Sequence, residues 1–347
     1  MRLVKVHKLT STDAFMVLDL GDASASVGMV RSAPKILQEG AKNLARANTY
    51  SFASFEMQVG GASGGINARP PDRAEAVRAF VEELQPMVAE GQLKVDQGKG
   101  VDPADLAALR EVDGRSALLW ETTDGITLAD ELTALGAVTA AQSCAGGLDG
   151  RTVAVEGFGP VQLSLCRQVA ATGARVVSIA TAAGSVSDKA GFDPVAVSAA
   201  WAAKGDDLVN ELGSEVKPAW AGFGAEADLL FPGSKAGALT HDGAPHVKAS
   251  AVIPIGPIPV TTKAFATLKR AGITVVPDFV CLAGPLLTIG SDAGSADEMR
   301  SLVRSAIADS LAEVADHEDG PLLAAAYRAE TFLRTWQDDL PFGRPLA

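Results

Sequence analysis

Cysteine is scarce in this chain and shows no pairing pattern. Cys144, Cys166 and Cys281 stand far apart, none in a Cys-x-x-Cys pair, and the four histidines are scattered. A disulfide framework and a zinc site are therefore excluded as expectations, and no metal is expected. Aromatic residues are also few: 12 Phe, 4 Trp and 2 Tyr. The interior must then be built from Ala, Val and Leu, as in parallel sheets covered by helices. No run of Lys and Arg occurs, and the formal charge is −12. Binding to nucleic acid needs clustered cations for the phosphates, so no nucleic-acid partner is expected. The acidity reads as solubility. No stretch approaches the ~18 uninterrupted apolar residues of a membrane span. The first eight residues alternate apolar and basic like an edge strand and lack the apolar core of a signal peptide. The expectation is a cytoplasmic protein with no membrane partner.

What is present is glycine and aliphatic bulk. The 347 residues include 35 glycines and are 47% hydrophobic, enough for two domains with sizeable cores. Strand-like runs occupy 3–6 and 15–20. Helical spacing follows at 35–50, where Ile36, Leu37, Ala41, Leu44 and Ala45 recur. The segment 60–65, Gly-Gly-Ala-Ser-Gly-Gly, reads as a glycine-rich turn. A second helix is expected over 71–90 and a strand over 92–95. A third helix should start near Asp102, an N-cap followed by Pro103. The apolar stretch 128–147 reads as one helix. Further strands are expected at 227–231, 249–255 and 273–276, and helices at 299–314 and 322–336.

The most informative segment is Gly150-Arg-Thr-Val-Ala-Val-Glu-Gly-Phe-Gly-Pro-Val-Gln162. A β-branched run ends in Gly157-Phe-Gly159. A helical pattern follows, then a second apolar run at 173–180. This is the strand, glycine turn, helix and strand of a dinucleotide-binding unit. The turn lets the backbone approach a pyrophosphate, and the helix N-terminus offers free N–H groups to it. Gly157, Phe158, Gly159, Pro160 and Val161 are therefore expected to bind a cofactor, NADP or NAD. Thr133, in the preceding helix, joins them as a candidate. Gln162 takes the third glycine position. Thr181 ends the second strand where a carboxylate would hold an unphosphorylated ribose. Thr181, Ser185 and Ser187, with Lys189 nearby, favour NADP.

Several motifs resemble, in order along the chain, those of the glutamate/leucine/phenylalanine/valine dehydrogenases. Gly28-Met-Val-Arg31 is similar to that family's Gly-Gly-Ile-Arg, and Asn48-Thr-Tyr-Ser-Phe-Ala53 to its Met-Thr-x-Lys-x-Ala. Val59-Gly-Gly-Ala-Ser-Gly-Gly-Ile66 resembles its Pro-x-Gly-Gly-Ala-Lys-Gly-Gly-Ile. Gly98-Lys-Gly-Val-Asp-Pro-Ala-Asp-Leu106 resembles the loop around its catalytic aspartate. Val276-Pro-Asp-Phe-Val-Cys-Leu-Ala-Gly284 resembles its Pro-Asp-x-x-x-Asn-Ala-Gly-Gly.

The resemblance implies an α/β fold of two domains: an N-terminal domain over 1–130 and a Rossmann-type cofactor domain over 131–295. The C-terminal helices, 296–347, would pack back on the first domain. It implies reversible, NAD(P)-dependent oxidative deamination of an amino acid by a homo-oligomer. In the family one lysine activates water, a second holds the substrate carboxylate, and an aspartate shuttles protons. Here Ser63 and Ser51 replace the lysines. Ungapped, Gly98 falls at the aspartate, while Asp96 fits with a small insertion beside Lys99. Leu282 replaces an asparagine that faces the nicotinamide, and no asparagine lies over 251–262. A serine hydroxyl neither titrates near neutrality nor anchors a carboxylate with full charge. The candidate catalytic residues are thus Ser63, Asp96, Lys99 and Ser51. Arg31 could contact an acidic ligand or form an ion pair.

Two functions fit. One is an NAD(P)-dependent oxidoreductase diverged to a small molecule without the usual carboxylate anchoring. The other is an inactive homologue that binds a ligand or a partner.

Overall fold

The computed structural model describes residues 4–340 and 343–347. They form two compact units. One comprises the described residues of Met1–Trp120 and Ala326–Pro345, the other Glu121–Ala325 with Leu346–Ala347. The first boundary falls ten residues before the expected one.

The first unit contains β1 (Lys5–Lys8), β2 (Ala14–Leu18), β3 (Ser26–Ala33), α1 (Gln38–Ser54), β4 (Gly60–Asn67), α2 (Arg73–Ala89), β5 (Leu93–Gln97) and the short α3 (Ala107–Arg110). Of the strand expected at 3–6, Leu3 lies outside the described residues. The strands form one sheet in the order β1-β2-β4-β3-β5. β3 runs parallel to β4 and β5, and β2 antiparallel to β4. One face is covered by α2: Val30, Ala62, Ile66, Phe80, Leu84, Leu93 and Val95 form a continuous core. Burying each such large side chain contributes roughly 1.5–3 kcal/mol. The other face carries Phe15 and Val17 against Ala41 and Ala45 of α1.

The segment 60–65 is not a turn. It lies inside β4, buried from Gly60 to Ile66. None of its glycines has a positive φ, so conformational freedom is not their purpose. Contact distance is. A Cβ on Gly61 would sit 1.8 Å from the Ala45 carbonyl oxygen and 2.5 Å from the Thr49 nitrogen. The helix α1 therefore rests directly on the strand backbone, and the Gly61 N–H donates to Thr49 Oγ1 at 2.9 Å.

The second unit begins with a two-stranded ribbon, β6 (Thr122–Thr123) and β7 (Ile126–Thr127), followed by α4 (Leu128–Ala145). Thr127 caps α4 in a capping box with Asp130, and Gly146 closes it in the left-handed conformation, φ 67°. Next come β8 (Thr152–Glu156), α5 (Pro160–Ala171), β9 (Arg175–Thr181), β10 (Gly184–Ser187), α6 (Pro194–Lys204) and α7 (Leu208–Leu212). β11 (Leu229–Pro232), β12 (Ala251–Val252), α8 (Thr262–Arg270), β13 (Thr274–Val275), α9 (Asp278–Cys281), α10 (Gly284–Leu287), α11 (Ala296–Ala312) and α12 (Pro321–Leu333) complete the chain. The sheet order is β10-β9-β8-β11-β12-β13, parallel except for β10. This is a Rossmann-type sheet, and the α/β class read from the sequence holds. The order reverses on either side of β8, which makes its C-terminal end a topological switch point.

The C-terminal helices divide differently from the expectation. α11 packs on α4 within the second unit, because Met299, Val303 and Ile307 make one apolar stripe for it to bury. The unit boundary instead runs through α12, between Ala325 and Ala326. Among the described residues no helix is long and apolar enough to cross a membrane, and no cluster of His, Cys, Asp and Glu could hold a metal ion.

Candidate active site and cofactor cradle

In the first unit, strand alternation places Gly61, Ser63 and Gly65 on the face toward α1. Register aligns Ser63 with Met29 of β3, and Met29 with Asp96 of β5. Ser63 and Asp96 thus share one row across the sheet. Their environments differ. Ser63 is wholly buried, and its Oγ has no hydrogen-bond partner. Asp96 is partly exposed and bound by the Arg115 guanidinium at 2.9 Å, which also holds Asp113 at 2.6 Å. Burial opposes the charge on Arg115, but Asp96 and Asp113 outweigh it and hold its pKa above the ordinary value. Arg110 and Arg115 both stack on Trp120, their guanidinium carbons 5.0 and 5.1 Å from its ring centroid. Arg115, Asp113 and Trp120 have no motif in the sequence, so only the fold reveals them.

The structure does not bring Ser51 to Ser63. Gly61 sits against Ala45 and Thr49, and Gly65 against Ile36, so α1 runs antiparallel to β4. Ser51 therefore lies on one side of the Gly61 contact and Ser63 on the other. The Ser51 hydroxyl donates to the Ala47 carbonyl of its own helix at 3.2 Å. Lys99 follows β5, where its carbonyl accepts from the Ser32 N–H at 3.0 Å, and its side chain is exposed. A cavity of about 210 Å³ in this unit, lined by Lys8, Asp13, Phe15 and Asn67 among others, includes none of the candidate residues.

In the second unit the glycine turn sits at the end of β8. Gly157 has φ 85°, and a Cβ there would meet the Ser234 nitrogen at 2.5 Å. Glu156 accepts from the Gly233 and Ser234 N–H groups at 3.2 and 3.3 Å, tying the turn to the loop after β11. Gly159 is the N-cap of α5, with Pro160 in the first turn and no capping side chain. The free N–H groups of this 12-residue helix are left without a side-chain partner, as an anion-binding terminus requires. Phe158 leans on Trp201, ring centroids 5.3 Å apart, and Val161 follows Pro160 in the same turn.

Gln162 is buried and reaches across to the Ile255 carbonyl at 3.3 Å. Room for it comes from Gly233, where a Cβ would lie 3.0 Å from its Nε2. The lost third glycine is thus offset on the neighbouring loop.

Thr181 is buried. Its hydroxyl donates to the Asp206 carbonyl at 2.6 Å and accepts from the Ala183 N–H at 3.1 Å. Ser185 and Ser187 lie in β10, where Ser185 donates to the Pro218 carbonyl and Ser187 to Ser178. The tie to Asp206 brings a turn with two exposed carboxylates, Asp206 and Asp207, to the end of β9. Thr133 is half-buried on α4, its hydroxyl donating back to Ala129 at 2.9 Å. Asp278 is fully enclosed. Its carboxylate accepts from the Ile258 N–H at 2.6 Å, and burial pushes its pKa up to about 6.

A family model for glutamate/leucine/phenylalanine/valine dehydrogenase matches residues 125–331, more than half of the chain. The chain belongs to this family. The family consists of NAD(P)-dependent amino-acid dehydrogenases.

Among relatives, the NADP-specific glutamate dehydrogenase A1 of Halobacterium salinarum is 28% identical over 295 residues, covering 76% of this chain and 68% of that protein. The glutamate dehydrogenase of Thermotoga maritima is 27% identical over 287 residues, covering 74% and 66%. The matched region thus spans about two thirds of these relatives' length. Among solved structures, the hetero-hexameric glutamate dehydrogenase of Thermus thermophilus in its leucine-bound form superposes with a TM-score of 0.78 at 23% identity, covering 97% of this chain and 90% of that one. The L-tryptophan dehydrogenase of Nostoc punctiforme gives 0.62 at 20% identity, covering 96% and 95%. Within this family frame, both serines occupy positions from which they reach no ionisable partner.

Proposed function

We propose that the protein is an NAD(P)-dependent oxidoreductase of the amino-acid dehydrogenase type whose substrate half has diverged from the family's lysine chemistry. The observation that carries the reading is the contrast at the two motifs. The α5 N-terminus keeps a bare, glycine-lined cradle, while Ser63 is a buried hydroxyl. The turn Gly157–Gly159 and the first turn of α5, with Pro160 and Val161, would hold the pyrophosphate; Thr181 would lie at the ribose end. When bound, the dinucleotide supplies or accepts the hydride. The chain's own task is to hold it and to place a small ketone, imine or amine beside it.

Without lysines at 51 and 63, the site lacks a group that titrates near neutrality and a full charge for the usual carboxylate position. Ordinary deamination of glutamate, leucine, phenylalanine or valine should then be slower by on the order of 10²-fold or more. NADP(H) is favoured over NAD(H), since Thr181 carries no charge to repel a 2′-phosphate; relatives of both specificities occur in Halobacterium salinarum, so the preference rests on Thr181 alone.

The burial of Ser63 and the ion-paired state of Asp96 favour a second reading, a cofactor-binding homologue without turnover that serves a partner subunit. The hetero-hexameric assembly of the Thermus thermophilus neighbour suits that reading, while a homo-oligomer suits the first.

The test is a calorimetric titration with NADPH and NADH, followed by an assay with a panel of ketones and imines. Binding of NADPH with turnover of one of them supports the first reading. Binding without turnover, and co-purification with a related subunit, supports the second. Clearly tighter NADH binding would overturn the NADP preference and assign the ribose end to Asp206 and Asp207.

A further inference from the structure

Arg31 stands apart from the other buried or half-buried arginines of this chain. Arg46 is held by Asp19 at 2.9 Å, Arg115 by Asp96 and Asp113, Arg73 by Asp102 and Asp105, and Arg300 by Glu131 and Asp297. Among the described residues the Arg31 side chain makes no hydrogen bond or ion pair, although its Nε and Nη2 are shielded from solvent. The chain has 42 Asp and Glu, and the five residues outside the described set carry no side-chain carboxylate. A charged group enclosed without a partner is costly, so its retention calls for a ligand.

Its surroundings are arranged for one. Val30 packs into the α2-side core, so Arg31 faces the other way, toward the side that carries Ser63 and Asp96. Its register partner on β4 is Gly65. On the other side, just past β5, Gly98 donates to the Val30 carbonyl at 2.8 Å. A Cβ on Gly98 would lie 2.8 Å from Arg31 Cγ. Glycine on this edge thus makes room for the arginine stem, and the positions flanking Arg31 on both sides, Gly65 and Gly98, carry no side chain. Ser63, one step back on the same face, is a second buried polar group without a partner.

We infer that Arg31 anchors a carboxylate of the substrate, its Nε and Nη2 forming the paired donors that a carboxylate accepts side by side. The inference rests on the oxidoreductase reading above and assigns the anchoring residue: the carboxylate is held through β3 rather than through positions 51 and 63.

The test compares the wild-type chain with Arg31→Met and Arg31→Lys. Each is titrated calorimetrically with 2-oxoglutarate, with its dimethyl ester and with NADPH, and each is melted. The wild type should bind the acid at least tenfold more tightly than the ester. Arg31→Met should lose about tenfold or more in affinity for the acid, with ester and NADPH binding unchanged. Arg31→Lys should recover part of the loss. The melting temperature of Arg31→Met should equal or exceed that of the wild type, because no internal partner is abandoned. Unchanged acid binding in Arg31→Met, or melting several degrees lower, would overturn the inference and make Arg31 structural. Failure of the wild type to bind the acid while it binds NADPH would also overturn it and leave the oxidoreductase reading standing. Arg31-dependent acid binding without NADPH binding would do the reverse.

Discussion

In β4, four glycines and Ser63 lie in extended backbone, buried between α1 and α2, and touch their neighbours at the limit of contact. At the end of β8, Gly157 turns at φ 85° and leaves the first turn of α5 open. The two motifs share a composition and use it for different physics. In β4 the missing side chains bring a helix onto a strand, and the product is rigidity. At Gly157 they permit a backbone shape, and the product is a bare helix terminus. The comparison teaches that one composition serves two structural purposes. Ser63 stands among these glycines without altering their role, because helix and strand meet through the glycines themselves. An anion cradle has no reason to stay bare unless something occupies it.

The largest expected effect tests the packing half. Gly61→Ala places a methyl group 1.8 Å from a backbone oxygen, so α1 must lift. Overpacking against backbone should cost about 3 kcal/mol or more, seen in denaturant unfolding. Gly60→Ala meets only side chains and a carbonyl at 3.5 Å and should cost clearly less. Equal losses would show that the glycines are not graded by contact.

The next effect lies in the second unit and depends on pH. Asp278, with its pKa raised by burial to about 6, binds a proton in the folded state that the unfolded chain releases near pH 4. Stability from this group is full below about pH 4 and is lost as pH rises to about 6, by roughly 2–3 kcal/mol. Asp278→Asn keeps an acceptor for the Ile258 N–H and should flatten that slope in melts between pH 4 and 7. An unchanged slope would place its origin elsewhere.

Gly157→Ala forces an L-residue to φ 85° beside Ser234, at about 1–3 kcal/mol. It should weaken NADPH binding at least tenfold in the same titration that leaves Gly60→Ala unaffected. The smallest effect has the opposite sign. Ser63→Ala removes a buried hydroxyl without a partner and should be neutral or stabilise by up to ~1 kcal/mol. A loss of 2 kcal/mol or more would reveal a partner for that hydroxyl.

Much of this was legible in the sequence. The unit from β8 to β9 announces itself because strand and helix periods differ and the glycines fall between them. The cap at Asp102 lies where side-chain chemistry demands it. Residues 60–65 could not be read correctly, since glycine in a turn and glycine under a helix spell the same string. β10 was hidden for a related reason: Ser185 and Ser187 are polar and look like loop, yet each hydroxyl is satisfied inside the fold. The Arg115–Asp96 pair spans 19 positions with no motif. The solitude of Arg31 is a property of its neighbours, not of its own segment.

The proposed function requires NADPH binding together with weak turnover of the family's usual 2-oxo acids. One measurement tests it directly: NADPH oxidation by the intact protein with 2-oxoglutarate, 4-methyl-2-oxopentanoate or phenylpyruvate and ammonia, at saturating NADPH established by titration. NADPH should bind and turnover should fall at least 10²-fold below the ~1–10³ s⁻¹ of ordinary enzymes. Turnover within that ordinary range would contradict it, and would mean that Asp96 and the serines suffice where lysines were thought necessary.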